Sequence, residues 1–162
     1  MKFLLPLFAL TIVLTGSACI SFDDDQQQTP VNPNQAQIDR DLILQYISQQ
    51  GISATADPSG LFYRIIAPGG DARPELTSDV EIRYRGELLD GTVFDETPNN
   101  STIIFTLNEL ISGWQIGIPL IGRAGSIELI IPSGLGYGTR QVGDIPPNSV
   151  LFFRVDLVDF FN

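Results

Sequence analysis

The chain has no histidine, one cysteine and one lysine among its 162 residues, and these absences exclude most covalent enzymology. Without histidine, Ser-His-Asp and Cys-His nucleophile systems have no base. Lysine occurs only at Lys2, so Schiff-base chemistry has no amine once the leader is removed. Zinc sites lack their nitrogen donors and, with Cys19 alone, nearly all their sulfur donors. A single cysteine closes no intrachain disulfide. A formal charge of −10 argues against a nucleic-acid partner, because phosphate-backbone binding needs clustered Lys and Arg. Any chemistry performed here needs no strong base and no covalent intermediate; neither a metal nor a cofactor is expected.

The N-terminus reads as an export signal. Lys2 supplies a minimal positive region, and Phe3 to Leu14 is a mostly apolar run, short for a membrane span. Leu14-Thr15-Gly16-Ser17-Ala18-Cys19 then places small residues directly before the only cysteine. This resembles a bacterial lipobox and implies lipidation of Cys19. It departs from that pattern at Gly16, where a large aliphatic residue is preferred. After it, Asp23-Asp24-Asp25, three glutamines, Pro30 and Pro33 make a polar tether that buries little. Ile38 to Gln50 has helical periodicity, with Ile38, Leu42 and Tyr46 on one face, Ile43 and Ile47 beside them and Gly51 as the stop. The expected organisation is a signal peptide at 1–18, a tether at 19–37, a short amphipathic brace helix at 38–51 and a folded domain at 52–162.

Within that domain period-2 patterns dominate. Leu61, Tyr63 and Ile65 alternate up to Pro68-Gly69-Gly70, and Val80, Ile82 and Tyr84 alternate against Glu81, Arg83 and Arg85. The second set predicts an antiparallel sheet with one wet face. Asp90-Gly91 signals a hairpin returning into Val93-Phe94. Ile103, Phe105 and Leu107, then Ser126 to Ile131, and finally Leu151, Phe153, Val155 and Leu157 give further strands. Between them lies Glu109 to Ile118, which carries the only tryptophan; Trp114, Ile118 and Ile121 fall on one helical face. Ser112 sits at the N-cap position, and Pro119 shortens the helix by removing a backbone donor. Trp114 is then either solid core or the floor of a cavity. The fold class is α+β, a twisted antiparallel sheet around one short helix. Gly134-Leu135-Gly136-Tyr137-Gly138 is not a phosphate loop, since neither a helical pattern nor a lysine follows it. It opens a long loop that presents Tyr137 and ends in Ile145-Pro146-Pro147.

Taken together, Tyr84-Arg85-Gly86, Asp90 to Asp95, Leu110-Ile111-Ser112-Gly113-Trp114, Ile131-Pro132 through Gly136-Tyr137-Gly138, and Ile145-Pro146-Pro147 into Leu151-Phe152-Phe153 resemble the FKBP-type peptidyl-prolyl isomerases. The landmarks run in the family's order across residues 60–162. The resemblance implies a pocket built from Tyr84, Phe94, Asp95, Leu110, Ile111, Trp114, Tyr137, Ile145 and Phe153. In it the substrate proline lies over Trp114, the Ile111 N–H and the Tyr137 hydroxyl bind ligand carbonyls, and Asp95 is held beside Tyr84. Asp95, Tyr137 and Trp114 are the implied catalytic groups, and the other six bind substrate. Departures from the family pattern are Ile103 for a frequent Phe, Gln141 for a His of some members, and Gly134 for a common Asp that tightens the turn.

This activity suits the missing residue types. Rotation about an X–Pro bond breaks no bond, so neither nucleophile nor base is required. The resemblance implies a lipid-anchored monomer of the bacterial cell envelope, acting on proline-containing polypeptide clients and open to macrolide inhibitors. The alternative is an FKBP-like binding or chaperone module that keeps the pocket with little turnover.

Overall fold

The alternating segments pair into one seven-stranded sheet, antiparallel throughout. The computed structural model describes residues 33–162, so the expected signal, Cys19 and residues 20–32 of the tether lie outside the described residues. In chain order the elements are α1 (Pro33–Gln50), β1 (Thr55–Ala56), β2 (Phe62–Ala67), β3 (Asp79–Leu88), β4 (Val93–Glu96), β5 (Ile103–Thr106), α2 (Ser112–Gly117), β6 (Gly125–Ile131) and β7 (Leu151–Phe161). The sheet order is β1-β2-β6-β7-β3-β4, with β5 also paired to β3. The most C-terminal strand, β7, therefore lies in the interior of the sheet.

One face of the sheet carries the main core. Leu61, Val80, Ile82, Ile127, Leu129, Ile131, Leu151, Phe153, Val155 and Leu157 meet Trp114, Ile118 and Ile121 of the central helical segment there. Phe160 joins the same core, although strict alternation from Leu157 would turn it away. The register between β3 and β7 shifts where Glu81 pairs with Asp159 and Ile82 with Leu157. The bulge takes up one extra residue and resets the alternation. Two glycines let α2 lie close on β6: a Cβ at Gly113 would fall 2.6 Å from the Ile131 side chain, and one at Gly117 would overlap Leu129.

The start of α2 differs from expectation. Ser112 is its first helical residue, and Ile111 occupies the N-cap position with no side-chain capping bond. The carbonyl of Ile111 accepts from the Trp114 and Gln115 N–H groups at 2.9 and 3.3 Å. The cap position is apolar because the Ile111 side chain lines a cavity instead. Pro119 acts as expected: the helix passes into a 3-10 turn over Ile118–Leu120 and stops.

The other face of the sheet is not wet throughout. Phe62, Ile130, Val150 and Phe152 form a second apolar cluster with Ile43 of α1, and Tyr46 and Ile47 pack against it. The Tyr46 and Phe152 rings lie 5.8 Å apart. Charge appears on this face beyond the cluster, where Glu128 takes Arg64 at 2.6 Å and Arg154 at 3.5 Å.

Thus α1 is a brace, but not with the expected bounds or face. It begins at Pro33 rather than Ile38, because proline suits a first helical turn. The added turn is polar, tied by Gln35 to Asp39 at 2.7 Å and Gln37 to Asp41 at 2.8 Å, so apolar periodicity could not reveal it. The buried edge is Asp39 and Ile43, while Ile38 and Leu42 remain 42% and 43% exposed. Burial of the Asp39 carboxylate against Ser133 turns the helix one position from the purely apolar solution.

Candidate active site

Tyr84 stands on β3 and Phe94 and Asp95 on β4, joined by a tight hairpin. Leu88 and Thr92 bond at 2.9 Å across it, Gly91 takes φ 88°, and the Asp90 carboxylate accepts the Thr92 N–H at 2.9 Å. The register sets Gly86 opposite Asp95 on one side and Phe153 of β7 on the other. A Cβ at Gly86 would lie 2.6 Å from the Phe94 ring and 2.7 Å from the Phe153 ring. Glycine there lets those rings meet edge to face at 5.4 Å.

Trp114 lies beneath them. Its ring centroid is 5.1 Å from Tyr84 and 5.0 Å from Phe153, both nearly perpendicular, the geometry that aromatic quadrupoles favour. The two roles considered for Trp114 coexist: it is 4% exposed and lines an open cavity of about 410 Å³. Its indole Nε1 is buried without a hydrogen-bond partner. An orphaned buried donor is uncommon, and costs a fold enough to call for an explanation.

All nine residues expected at the pocket line this cavity, from Tyr84, Phe94 and Asp95 to Leu110, Ile111, Trp114, Tyr137, Ile145 and Phe153. Phe105, Val142, Gly143 and Asp144 line it as well. Phe105 was legible only as a member of an alternating strand set. It supplies an aromatic wall from β5, two residues beyond Ile103, which is not part of the lining and is 38% exposed. Gln141 is also outside the lining.

The polar groups are few and directional. The Tyr84 hydroxyl donates to Asp95 Oδ2 at 2.6 Å. Burial pushes the Tyr84 phenol well above its ordinary value, and the bond to Asp95 and that group's charge push it further. Burial likewise raises Tyr137, followed by the charge of Asp95. Both phenols therefore hold their protons as donors at neutral pH. Among the described residues the Ile111 N–H donates to no backbone carbonyl.

The loop that brings Tyr137 over the cavity starts as a 3-10 turn, Ser133–Leu135. The Ser133 carbonyl accepts from Gly136 at 3.0 Å and Gly138 at 2.8 Å, one on each side of Tyr137. Asn148 N–H reaches the Gly138 carbonyl at 2.7 Å, and Val142 and Ile145 bond to one another at 3.1 and 2.9 Å. No group of His, Cys, Asp or Glu among the described residues is placed to hold a metal ion. An apolar, aromatic-walled cavity with a few aimed donors suits binding and distortion of an uncharged group better than bond cleavage.

Comparison with known proteins agrees with this geometry. Residues 70–158 match the family model described as FKBP-type peptidyl-prolyl cis-trans isomerase. The chain is 37% identical over 152 residues to the FKBP-type peptidyl-prolyl cis-trans isomerase FkpA of Buchnera aphidicola, covering 92% of this chain and 57% of that one. It is 39% identical over 103 residues to the outer membrane protein MIP of Legionella longbeachae, covering 62% of this chain and 44% of the other. The crystal structure of FkpA from Escherichia coli superposes with a TM-score of 0.69 at 32% identity, over 78% of this chain and 61% of that one. The chain thus spans about half the length of these curated relatives.

Proposed function

The chain belongs to the FKBP-type peptidyl-prolyl cis-trans isomerase family, and we propose that it isomerises X–Pro bonds of polypeptide clients in the cavity over Trp114. The observation that carries the proposal is one cavity lined by six aromatic residues: Trp114 as floor, Phe94, Phe105 and Phe153 as walls, and the two protonated phenols Tyr84 and Tyr137. The uncatalysed barrier is roughly 18–20 kcal/mol, set by amide resonance. The planar amide is the more charge-separated state, so stripping water from it favours the twisted transition state. Trp114, Phe94 and Phe153 perform that desolvation around the proline ring. The Ile111 N–H fixes one carbonyl of the segment, and the Tyr137 hydroxyl donates to another. Asp95 is held by Tyr84 at the edge of the cavity, where its charge faces the twisting bond. Leu110 and Ile145 complete the apolar lining, and no cofactor takes part.

A protease-coupled or NMR exchange assay on an X-Pro peptide tests this directly. Turnover above the uncatalysed rate is expected, and its absence at high protein concentration would leave only the binding-module alternative. Tyr137→Phe and Asp95→Ala remove little apolar volume. Each is expected to keep the melting temperature and to lower kcat/KM by about tenfold, the ~1.4 kcal/mol of one polar contact in the transition state. Full activity in either folded variant would remove that group from the mechanism. A macrolide that fills the cavity should compete with the peptide.

The proposed setting is the bacterial envelope, with a monomeric isomerase domain (52–162 plus its brace helix) tethered through a lipidated Cys19. The match to an outer membrane protein supports it. No described helix is long and apolar enough to cross a membrane. Cys19→Ala should abolish lipid labelling and membrane fractionation in a bacterial host. Unchanged labelling would exclude the anchor.

A further inference from the structure

The loop that carries Tyr137 opens on the turn Ser133–Leu135, whose middle residue, Gly134, brings no side chain to hold it. The turn is nonetheless held. Asp39, on α1 and 94 residues away in sequence, accepts the Ser133 N–H at 2.8 Å and the Ser133 hydroxyl at 2.6 Å, both through Oδ2. Its other oxygen accepts from Gln35 Nε2 at 2.7 Å. Asp39 is 1% exposed and Ser133 2%. A carboxyl group so fully removed from water needs donors around it, and Ser133 and Gln35 supply them.

What Ser133 does next makes this contact more than a helix anchor. Its carbonyl is the acceptor shared by the Gly136 and Gly138 N–H groups, which bracket Tyr137. One chain of hydrogen bonds therefore runs from α1 through Ser133 to the backbone on both sides of the phenol. Gly136 and Gly138 give this stretch little stiffness of their own, and a hydroxyl misplaced by an ångström is a poor donor to a transition-state carbonyl.

We propose that Asp39 is a positioning residue for the isomerisation site, clamping Ser133 so that Tyr137 is held over the cavity by the brace helix. This rests on the isomerase function proposed above and on the donor role of Tyr137. The brace helix is then a working part of the site and not only a cover for the second apolar cluster.

The test uses the full chain with three single variants, Asp39→Asn, Asp39→Ala and Ser133→Ala, and the pair Asp39→Ala with Tyr137→Phe. Asp39→Asn and Ser133→Ala each keep part of the contact and guard against a variant that does not fold. Rates are measured on an X-Pro tetrapeptide, at temperatures where melting curves show each protein folded. Asp39→Ala is expected to lower kcat by about fivefold with KM changed less than about twofold, and Asp39→Asn to fall between it and the parent protein. In the Tyr137→Phe background the Asp39→Ala loss should shrink to nearly nothing, because both changes remove the same contact. An unaltered kcat in the folded variants, or an equal loss with and without Tyr137, would overturn the proposal. Amide exchange gives a readout independent of turnover: the Gly136 and Gly138 N–H groups should exchange faster in Asp39→Ala than in the parent protein, and equal protection would also overturn it. If the parent protein turns over no X-Pro peptide, the proposed function falls, while the exchange measurement still decides whether Asp39 holds this loop.

Discussion

Trp114→Leu is expected to damage stability and turnover together. The side chain is 4% exposed and packs against both Tyr84 and Phe153, so its loss leaves a void on the order of a large-to-small core change, about 3 kcal/mol. The void opens into a cavity that water already reaches, which keeps the cost below that of a sealed core site. Turnover of an X-Pro peptide should fall by at least about tenfold even at temperatures where the variant is folded, because the floor beneath the proline ring is gone. Denaturant melts and kcat/KM on the same preparation measure both effects. A destabilised variant with the parent protein's rate would make Trp114 core only. An unchanged melt with a lost rate would show that the indole contributes little to the fold.

A loss of similar size is expected on the far side of the sheet. Ile43 is fully buried against Phe62, Ile130 and Phe152, and Ile43→Ala should cost about 2–5 kcal/mol. Set against a typical total of about 5–15 kcal/mol, that is a large share for a residue outside the main core. Leu42, its neighbour, is 43% exposed, and Leu42→Ala should stay within about 0.5 kcal/mol. The pair of urea melts tests whether α1 belongs to the cooperative unit. A small effect of Ile43→Ala would mean that the helix can detach while the sheet survives. Truncations should be planned from the observed helix: removing residues up to Gln37 takes the first turn of α1 with it.

The pocket was legible in the sequence because its residues sit in short, locally determined motifs. It was the resemblance to the FKBP-type isomerases that marked Tyr84, Phe94-Asp95 and Leu110-Ile111 up to Trp114 as a pocket; strand alternation, the hairpin turn and the helix start placed them on their elements and left Trp114 as either core or cavity floor. The brace helix shows where such reasoning fails. Asn34 to Gln37 have no apolar period, so the first turn of α1 looked like more tether. The apolar pattern favoured the face of Ile38 and Leu42, whereas the structure buries Asp39. No local rule predicts that choice, since what stabilises the buried carboxylate is Ser133, far away in sequence. The wet face read from Glu81, Arg83 and Arg85 is covered elsewhere by α1 for a related reason: Phe152 and Ile130 were legible as apolar, but their partner on α1 lay outside the strand pattern. Phe105 was read only as a strand residue, because an alternating pattern identifies a face without showing where that face lines a cavity.

The interior place of β7 also governs when the molecule can begin to exist as a folded body. This strand bonds to β6 on one edge and β3 on the other, yet it is made after both. A chain emerging from its N-terminus holds β1-β2-β6 and β3 with β4 and β5 as two separate pieces with open edges until residues 151–161 arrive to join them. Phe153 arrives with that strand, so the rear wall of the aromatic cavity is absent until residues 151–161 are made. Contacts of such sequence separation form late and slowly, since the intervening loops must be closed first. Vectorial folding is thereby blocked by topology. Such a chain stays threadable until that strand is made, and its binding cavity is completed with the closing of the sheet.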